Sequence, residues 1–317
     1  MTYLITGCAG FIGSHLAERL VRKGEKVIGI DSFTPNYSRS IKEENLKWLK
    51  TQPNFTFYES DLLTFNLNSI APLLNGSITI FHLAAYPSVR AGWGEDFETF
   101  ARNNIFATQR LLDWAKDKDI KKFIFASTSS IYGDTQKLPM IEEDPLNPVS
   151  PYGLTKLAAE KLCLIYHKYF NLPIVVLRYF TVYGPRQRPD MAFHKFIKAI
   201  IEEKELEVYG DGTQTRDFTY IDDIIDATIA SENAPDGKIF NIGGGERRVL
   251  NEVIHLLEDI IGKKAKIKYT QPQRGDVKDT LADYTKAKEV LGYNPRTPIE
   301  EGLRNQIQWQ RSTYDSL

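Results

Sequence analysis

Cysteine is nearly absent: Cys8 and Cys163 are the only two in 317 residues. One falls in a glycine-rich loop and the other inside a helical pattern, so neither a disulfide framework nor a metal site is indicated. Charge of one sign is missing as well, since 40 lysines and arginines stand against 41 aspartates and glutamates, for a formal net charge of -1. That balance, with acids and bases interleaved, argues against nucleic acid or an anionic membrane as the main partner. No apolar run reaches membrane length, no apolar leader is present, and internal repeats and low-complexity tracts are lacking. The expectation is a cytoplasmic protein of one large domain, or two intimately joined ones, with ample core.

What the chain does have is a strand, a tight glycine turn and a helix in immediate succession. Tyr3, Leu4 and Ile5 form a short apolar run suited to a buried parallel strand. Gly7, Gly10 and Gly13 follow at even spacing, where a turn needs backbone freedom, a phosphate needs to reach the main chain, and a helix needs to lie close to a sheet. The helix that begins near Phe11, Ile12 and Gly13 offers unpaired N–H groups and a positive dipole end to a pyrophosphate. Leu16, Leu20 and Val21 make its inward stripe, and Gly24 ends it. Residues 26–31 read as a second strand closing on Asp31, about 20 residues past the glycines, where an acid holds a ribose 2′-hydroxyl. Asp31 repels a 2′-phosphate and no arginine follows directly, which favours NAD over NADP.

Further along, the loop containing Asn36 can fold beside the adenosine end of such a cofactor before a charged helix. Residues 55–58 read as a third strand, followed by Asp61 and Leu62, where Asp61 can meet an adenine amine or cap a helix. A fourth strand over 78–85 ends in Leu83, Ala84 and Ala85, small enough at its end to let backbone approach the cofactor. Residues 97–117 carry helical spacing around Asn104, a buried asparagine that needs either a neighbouring carbonyl or the nicotinamide side of the pocket. A fifth strand over 122–127 runs into Thr128, Ser129 and Ser130, hydroxyls at the carboxyl end of a parallel strand. Proline and serine then announce a helix on which Tyr152 and Lys156 lie one turn apart.

In this order, Thr6-Gly-Cys-Ala-Gly-Phe-Ile-Gly13, Asp31, Asp61-Leu62, His82-Leu-Ala-Ala85, Asn104, residues 127–133 and Tyr152 with Lys156 resemble the extended short-chain dehydrogenase/reductase family, specifically its nucleotide-sugar epimerases and dehydratases. The resemblance runs over essentially the whole chain. It implies an α/β fold with a Rossmann-type doubly wound parallel sheet over 1–180, a returning segment at about 215–242, and a smaller C-terminal α/β substrate-binding domain from 181–214 and 243–317. It implies NAD held by Gly7, Gly10, Phe11, Ile12, Gly13, Asp31, Asn36, Asp61, Leu62, Leu83, Ala84, Ala85, Asn104, Ser127, Tyr152, Lys156 and Tyr179. A homodimer paired through the helices at Phe97 and Tyr152 is the matching expectation.

Moving a hydride from a sugar carbon requires that its hydroxyl lose a proton at the same time. A free tyrosine, with a pKa of about 10, is a poor base. Lys156 and a positive nicotinamide ring can each favour the phenolate of Tyr152 by roughly 1–3 pKa units. Thr128 completes the relay that the resemblance implies. Ser129 and Ser130, as substrate contacts, stand where resembling dehydratases carry an Asp-Glu pair and decarboxylases a glutamate. Elimination and carbanion protonation therefore lack their acid, and epimerisation at C4 remains.

The stretch from Leu177 to Phe193 resembles the corresponding loop of UDP-glucuronate 4-epimerases, with Thr181 where UDP-glucose epimerases carry asparagine. For a uronate carboxylate, Arg188 is the expected contact and Arg186 the competing one, beside Met191, Ala192 and Phe193. Pinning that anion also denies a β-keto acid the geometry for losing CO₂. The backbone near Val208 and Tyr209, with Arg216, Arg274 and Asp276, resembles the handle for uracil, ribose and diphosphate. The expected reaction interconverts UDP-glucuronate and UDP-galacturonate. Its rivals are UDP-glucose or UDP-N-acetylglucosamine as substrate, a decarboxylase, and a catalytically idle NAD-binding regulator.

Overall fold

Alternate residues of the first strand belong to different hydrophobic cores, Tyr3 and Ile5 to one and Leu4 to the other. Only a strand covered on both faces does this. The computed structural model describes residues 1–74, 76–135 and 137–314. The chain lays down β1 (Thr2–Thr6), α1 (Phe11–Arg22), β2 (Lys26–Asp31), α2 (Arg39–Lys47), β3 (Phe55–Glu59), β4 (Ile78–His82), α3 (Phe97–Phe100), α4 (Ala107–Ala115), β5 (Ile120–Thr128), α5 (Pro151–Phe170) and β6 (Ile174–Tyr179). It continues through β7 (Thr181–Tyr183), α6 (Ala192–Ile201), β8 (Glu205–Tyr209), β9 (Thr215–Tyr220), α7 (Ile221–Ala230), β10 (Lys238–Ile242), β11 (Arg247–Val249), α8 (Leu250–Ile261), β12 (Lys266–Thr270), α9 (Thr285–Leu291) and α10 (Ile299–Tyr314).

Among the described residues, seven strands form one parallel sheet in the order β10-β6-β5-β4-β1-β2-β3. Side chains of α1, α2 and α7 fill the core on one face, and those of α4 and α5 fill it on the other. This is the doubly wound Rossmann arrangement. Strand order reverses beside β1, whose neighbours are β2 and β4, and a crevice opens at the carboxyl ends there. A smaller lobe holds a three-stranded sheet, β11-β9-β7, and a parallel pair, β12-β8.

Three local expectations need correction. The returning segment starts later than residue 215: β9 pairs with β7 and β11 in the small lobe, and the strand that rejoins the large sheet is β10. Asp217 of β9 is fully buried and accepts from Gly244 N at 2.6 Å and Ala282 N at 2.9 Å, partners that only the small lobe supplies. The helical stretch over 97–117 is interrupted by a π-helical turn, Ala101–Phe106, which turns Asn104 inward. β4 stops at His82, whose ring is held by Thr6 Oγ1 at 2.7 Å and Thr108 Oγ1 at 2.9 Å, so 83–85 leave the ladder.

Beneath the crevice lies a buried polar cluster. Arg178 of β6 is 1% exposed and Glu160 of α5 is 0% exposed, and they pair at 2.7 Å. Glu160 Oε2 also accepts from Ser127 Oγ at 2.6 Å, and Arg178 Nη1 donates to Tyr132 Oη at 2.7 Å and to Glu142 O at 2.8 Å. Tyr132 in turn donates to Asn241 of β10 at 2.7 Å. Four elements are thereby joined through one ion pair. Glu160→Gln leaves Arg178 buried without its counter-charge and is expected to destabilise the fold by about 3–5 kcal/mol, read as a lowered midpoint in chemical denaturation.

Candidate active site

The crevice is a cavity of about 650 Å³ that runs from the glycine turn to the small lobe. At its deep end a Cβ on Gly13 would stand 2.1 Å from Gly7 O, and one on Gly7, whose φ is 75°, would stand 2.8 Å from Ala84 N. Only hydrogen fits at either place, so the backbone comes close enough to cradle a phosphate. No side chain caps the first turn of α1, which leaves its N–H groups for a ligand. At the end of β2, the Asp31 carboxylate is fixed by Ala9 N at 3.0 Å and Phe33 N at 2.8 Å. Burial pushes its pKa up, against those two bonds. A cradle without Cβ atoms, a bare helix end and an oriented acid fit a dinucleotide.

Gly7, Gly10, Phe11, Ile12, Gly13, Asp31, Asn36, Asp61, Leu62, Leu83, Ala84, Ala85, Ser127, Tyr152, Lys156 and Tyr179 all line this cavity. Asn104 does not. Its carboxamide accepts from Tyr86 N at 2.7 Å and donates to Tyr86 O at 3.3 Å and Thr155 Oγ1 at 2.9 Å, so it takes the neighbouring-carbonyl alternative and fixes the wall from behind. Lys42 and Tyr37, which the sequence did not flag, join the lining, with Lys42 Nζ donating to Asn36 Oδ1 at 2.8 Å.

Ser150 caps α5 by accepting from Gly153 N at 3.1 Å, with Pro151 in the first helical position. That start sets Tyr152 and Lys156 facing the cavity beside Thr128, Ser129 and Ser130. Burial raises the pKa of the Tyr152 phenol, and the Arg188 charge and a hydrogen bond with Thr128 act against it. Lys156 Nζ lies 4.2 Å from the centre of the Phe125 ring. Burial pushes Lys156 down to about 8, although Cys163 and Glu160 pull the other way. Thr128 Oγ1 donates to Ser130 Oγ at 3.2 Å, so the hydroxyls are linked to one another.

On the sugar side, Thr181, Arg188, Met191, Ala192, Tyr209, Arg216 and Asp276 line the cavity. Arg188 grips Asp190 through Nε at 3.0 Å and Nη2 at 2.9 Å. Three expected contacts, Arg186, Phe193 and Arg274, lie elsewhere. Arg186 turns away to Glu18 of α1 at 2.6 Å. Phe193 is buried against Phe218, ring centres 4.5 Å apart, as small-lobe core. Val208, expected to act through its backbone, has its side chain fully buried in that core on β8. Arg274 is exposed and outside the lining, and the cation that meets Asp276 is Arg90, at 3.0 Å. Arg90 also lies 4.4 Å from the centre of the Tyr209 ring. No periodicity marked Arg90, which sits in an irregular loop. Asp190, an acid two residues past Arg188, was a visible signal.

Residues 3–243 match the family model described as the NAD dependent epimerase/dehydratase family. The chain belongs to that family. It is 49% identical over 317 residues, covering 99% of both chains, to a Bacillus subtilis (strain 168) protein named "Uncharacterized UDP-glucose epimerase YtcB". It is 45% identical to the UDP-glucuronate 4-epimerase of Thermodesulfobacterium geofontis (strain OPF15), covering 99% of this chain and 98% of that one. Among solved structures, the UDP-glucuronic acid 4-epimerase of Bacillus cereus, in complex with UDP-glucuronic acid and NAD, is similar at a TM-score of 0.95 and 44% identity, covering 99% of this chain and 100% of that one.

In this epimerase/dehydratase, the hydroxyls of Tyr152, Thr128 and Ser130 and the Lys156 ammonium line one cavity. Bound NAD supplies a hydride acceptor that returns the hydride later. No carboxylate stands at 129 or 130 to assist elimination. Thr128→Val removes the hydroxyl that acts against the rise of the Tyr152 pKa, so that pKa moves further up. The limb of kcat against pH that reports the phenol is expected to move to higher pH, with kcat down roughly 10- to 100-fold.

Proposed function

We propose that this NAD-dependent nucleotide-sugar 4-epimerase interconverts UDP-glucuronate and UDP-galacturonate, by oxidation at C4, rotation of the 4-keto sugar and reduction on its other face, without loss of CO₂. The observation that carries this is Arg188, a guanidinium that lines the same cavity as Tyr152. A uronate carries its carboxylate two bonds from C4, so the cation that serves the carboxylate belongs near the base that serves the C4 hydroxyl. Its fork suits a planar anion. Thr181 and the serines at 129 and 130 offer hydroxyls beside it and no competing acid. Tyr152 is the base, Thr128 its partner, and Lys156 the ribose contact. Tyr209, Arg216, Asp276 and the newly located Arg90 hold the nucleotide end. The relatives named for UDP-glucuronate support the same choice.

UDP-glucose is the second reading, because Asp190 already balances Arg188 and a neutral sugar would leave no unpaired charge. The relative named for UDP-glucose favours it too. A homodimer is proposed on Phe106, Leu154, Ile165, Tyr169 and Phe170, large apolar side chains left 47–66% exposed on the π-helical turn and α5.

A panel of UDP-sugars, followed for both epimer formation and CO₂ release, tests the assignment. Arg188→Ala is expected to lower kcat/KM on UDP-glucuronate by about 100-fold or more, and on UDP-glucose by less than about tenfold. Equal losses on both sugars would sink the uronate assignment.

A further inference from the structure

The turn that carries Arg188 is held from two sides. Gln187 N donates to Gly184 O at 3.1 Å, closing a β-turn with Pro185 and Arg186 at its centre. Arg186 has a φ of 64°. The third place of a turn with proline second and positive φ third ordinarily takes glycine or asparagine, since a Cβ is unfavourable there. An arginine in that place needs a reason in its side chain.

The side chain crosses to α1. Arg186 Nη2 donates to Glu18 Oε2 at 2.6 Å, and Nη1 reaches Ser14 Oγ at 3.5 Å. Next to it, His15 Nε2 donates to Pro185 O at 2.9 Å. These partners follow directly on Gly13, so the anchor lies on the helix whose first turn faces the cavity. Burial raises the Glu18 carboxyl, but Arg186 and Arg22 outweigh it and leave the pKa below the ordinary carboxylate value. From the opposite side, Gln187 is 2% exposed and bonds to Val182 O at 3.1 Å, Gln306 Nε2 at 2.8 Å and His194 N at 3.1 Å. Three successive residues therefore reach three places: α1, the small-lobe interior and the cavity.

We propose that Arg186 is a positioning residue for substrate selection: its ion pair with Glu18 ties the 184–187 turn to the cofactor-side helix and sets where Arg188 presents its guanidinium to the sugar. The proposal rests on Arg188 as the carboxylate contact. Without the anchor the turn has no hold on α1 other than the backbone bond from His15, and Arg188 samples positions away from the anion. Hydride and proton transfer at C4 use other residues and go on once the sugar is bound.

The test uses NAD-loaded enzyme carrying Arg186→Ala, Arg186→Gly, Arg186→Lys, Arg188→Ala, or the Arg186→Ala/Arg188→Ala pair. Each is assayed for kcat and KM on UDP-glucuronate, Ki for UDP, and thermal midpoint. Glycine relaxes the turn, so Arg186→Gly keeps or raises the midpoint while losing the anchor. Both the alanine and glycine variants should raise KM about tenfold, with kcat within about threefold and Ki for UDP within about twofold. Arg186→Lys, which keeps the charge, should stay near wild type. On top of Arg188→Ala, the second substitution should add less than about twofold, because both remove one function. Unchanged KM in Arg186→Gly, an equal weakening of UDP, or full additivity of the pair would overturn the proposal. An inert Arg188→Ala would remove the carboxylate contact and this role with it, whereas a damaging Arg188→Ala beside an inert Arg186→Ala removes the positioning role alone.

Discussion

The ion pair of Glu160 with Arg178 is the constraint on which the rest depends. Neither side chain meets solvent, so each is stable as a charge only in the presence of the other and of the hydroxyls and carbonyl around them. Glu160 comes from the helix that carries Tyr152 and Lys156, and Arg178 from the strand that ends in Tyr179. Ser127, on a third element, hands the chain on to Thr128. Sliding any one of these elements by a residue would strand a buried charge, so the proton-transfer groups inherit their mutual placement from a pair that takes no part in the chemistry.

Above that floor, the cations around the cavity are already oriented. Arg188 is set by Asp190, Arg90 by Asp276 and the Tyr209 ring, and Arg216 by the carbonyls of Thr215 and Lys278 at 2.8 and 2.9 Å. Burial lowers the pKa of Arg216, a cost in keeping with a site meant for an anion. Holding donors in place beforehand reduces the ordering that a ligand must bring about. A nucleotide diphosphate is the kind of guest such a rim suits.

Much of this was legible in the chain. The glycine turn, Asp31, Thr128, Tyr152 and Lys156 could be read because each is tied to its neighbours by local spacing: a strand, a turn, one helical period. The large parallel sheet followed from the same regular succession. The small lobe was harder. Arg186 and Arg188 sit two apart in one loop, and nothing in their spacing says that one reaches α1 while the other reaches the cavity. Arg274 and Arg90 illustrate the same difficulty, since which of them meets Asp276 depends on how two distant loops cross. Phe193 failed for a different reason: an apolar residue next to a site looks the same in sequence whether it lines the site or supports it.

The π-helical turn at Ala101–Phe106 carries a consequence for chain length. Such a turn houses one residue more than regular winding would, and each residue of an α-helix turns the chain by roughly 100°. Deleting a single position there would heal the winding and swing the preceding segment round by about that angle, taking Asn104 from Tyr86 and Thr155, or Phe100 from its buried seat. A stretch with Phe106 open to solvent would ordinarily absorb a gap without harm. Here the count of residues is itself fixed, and insertions or deletions should be tolerated only outside it.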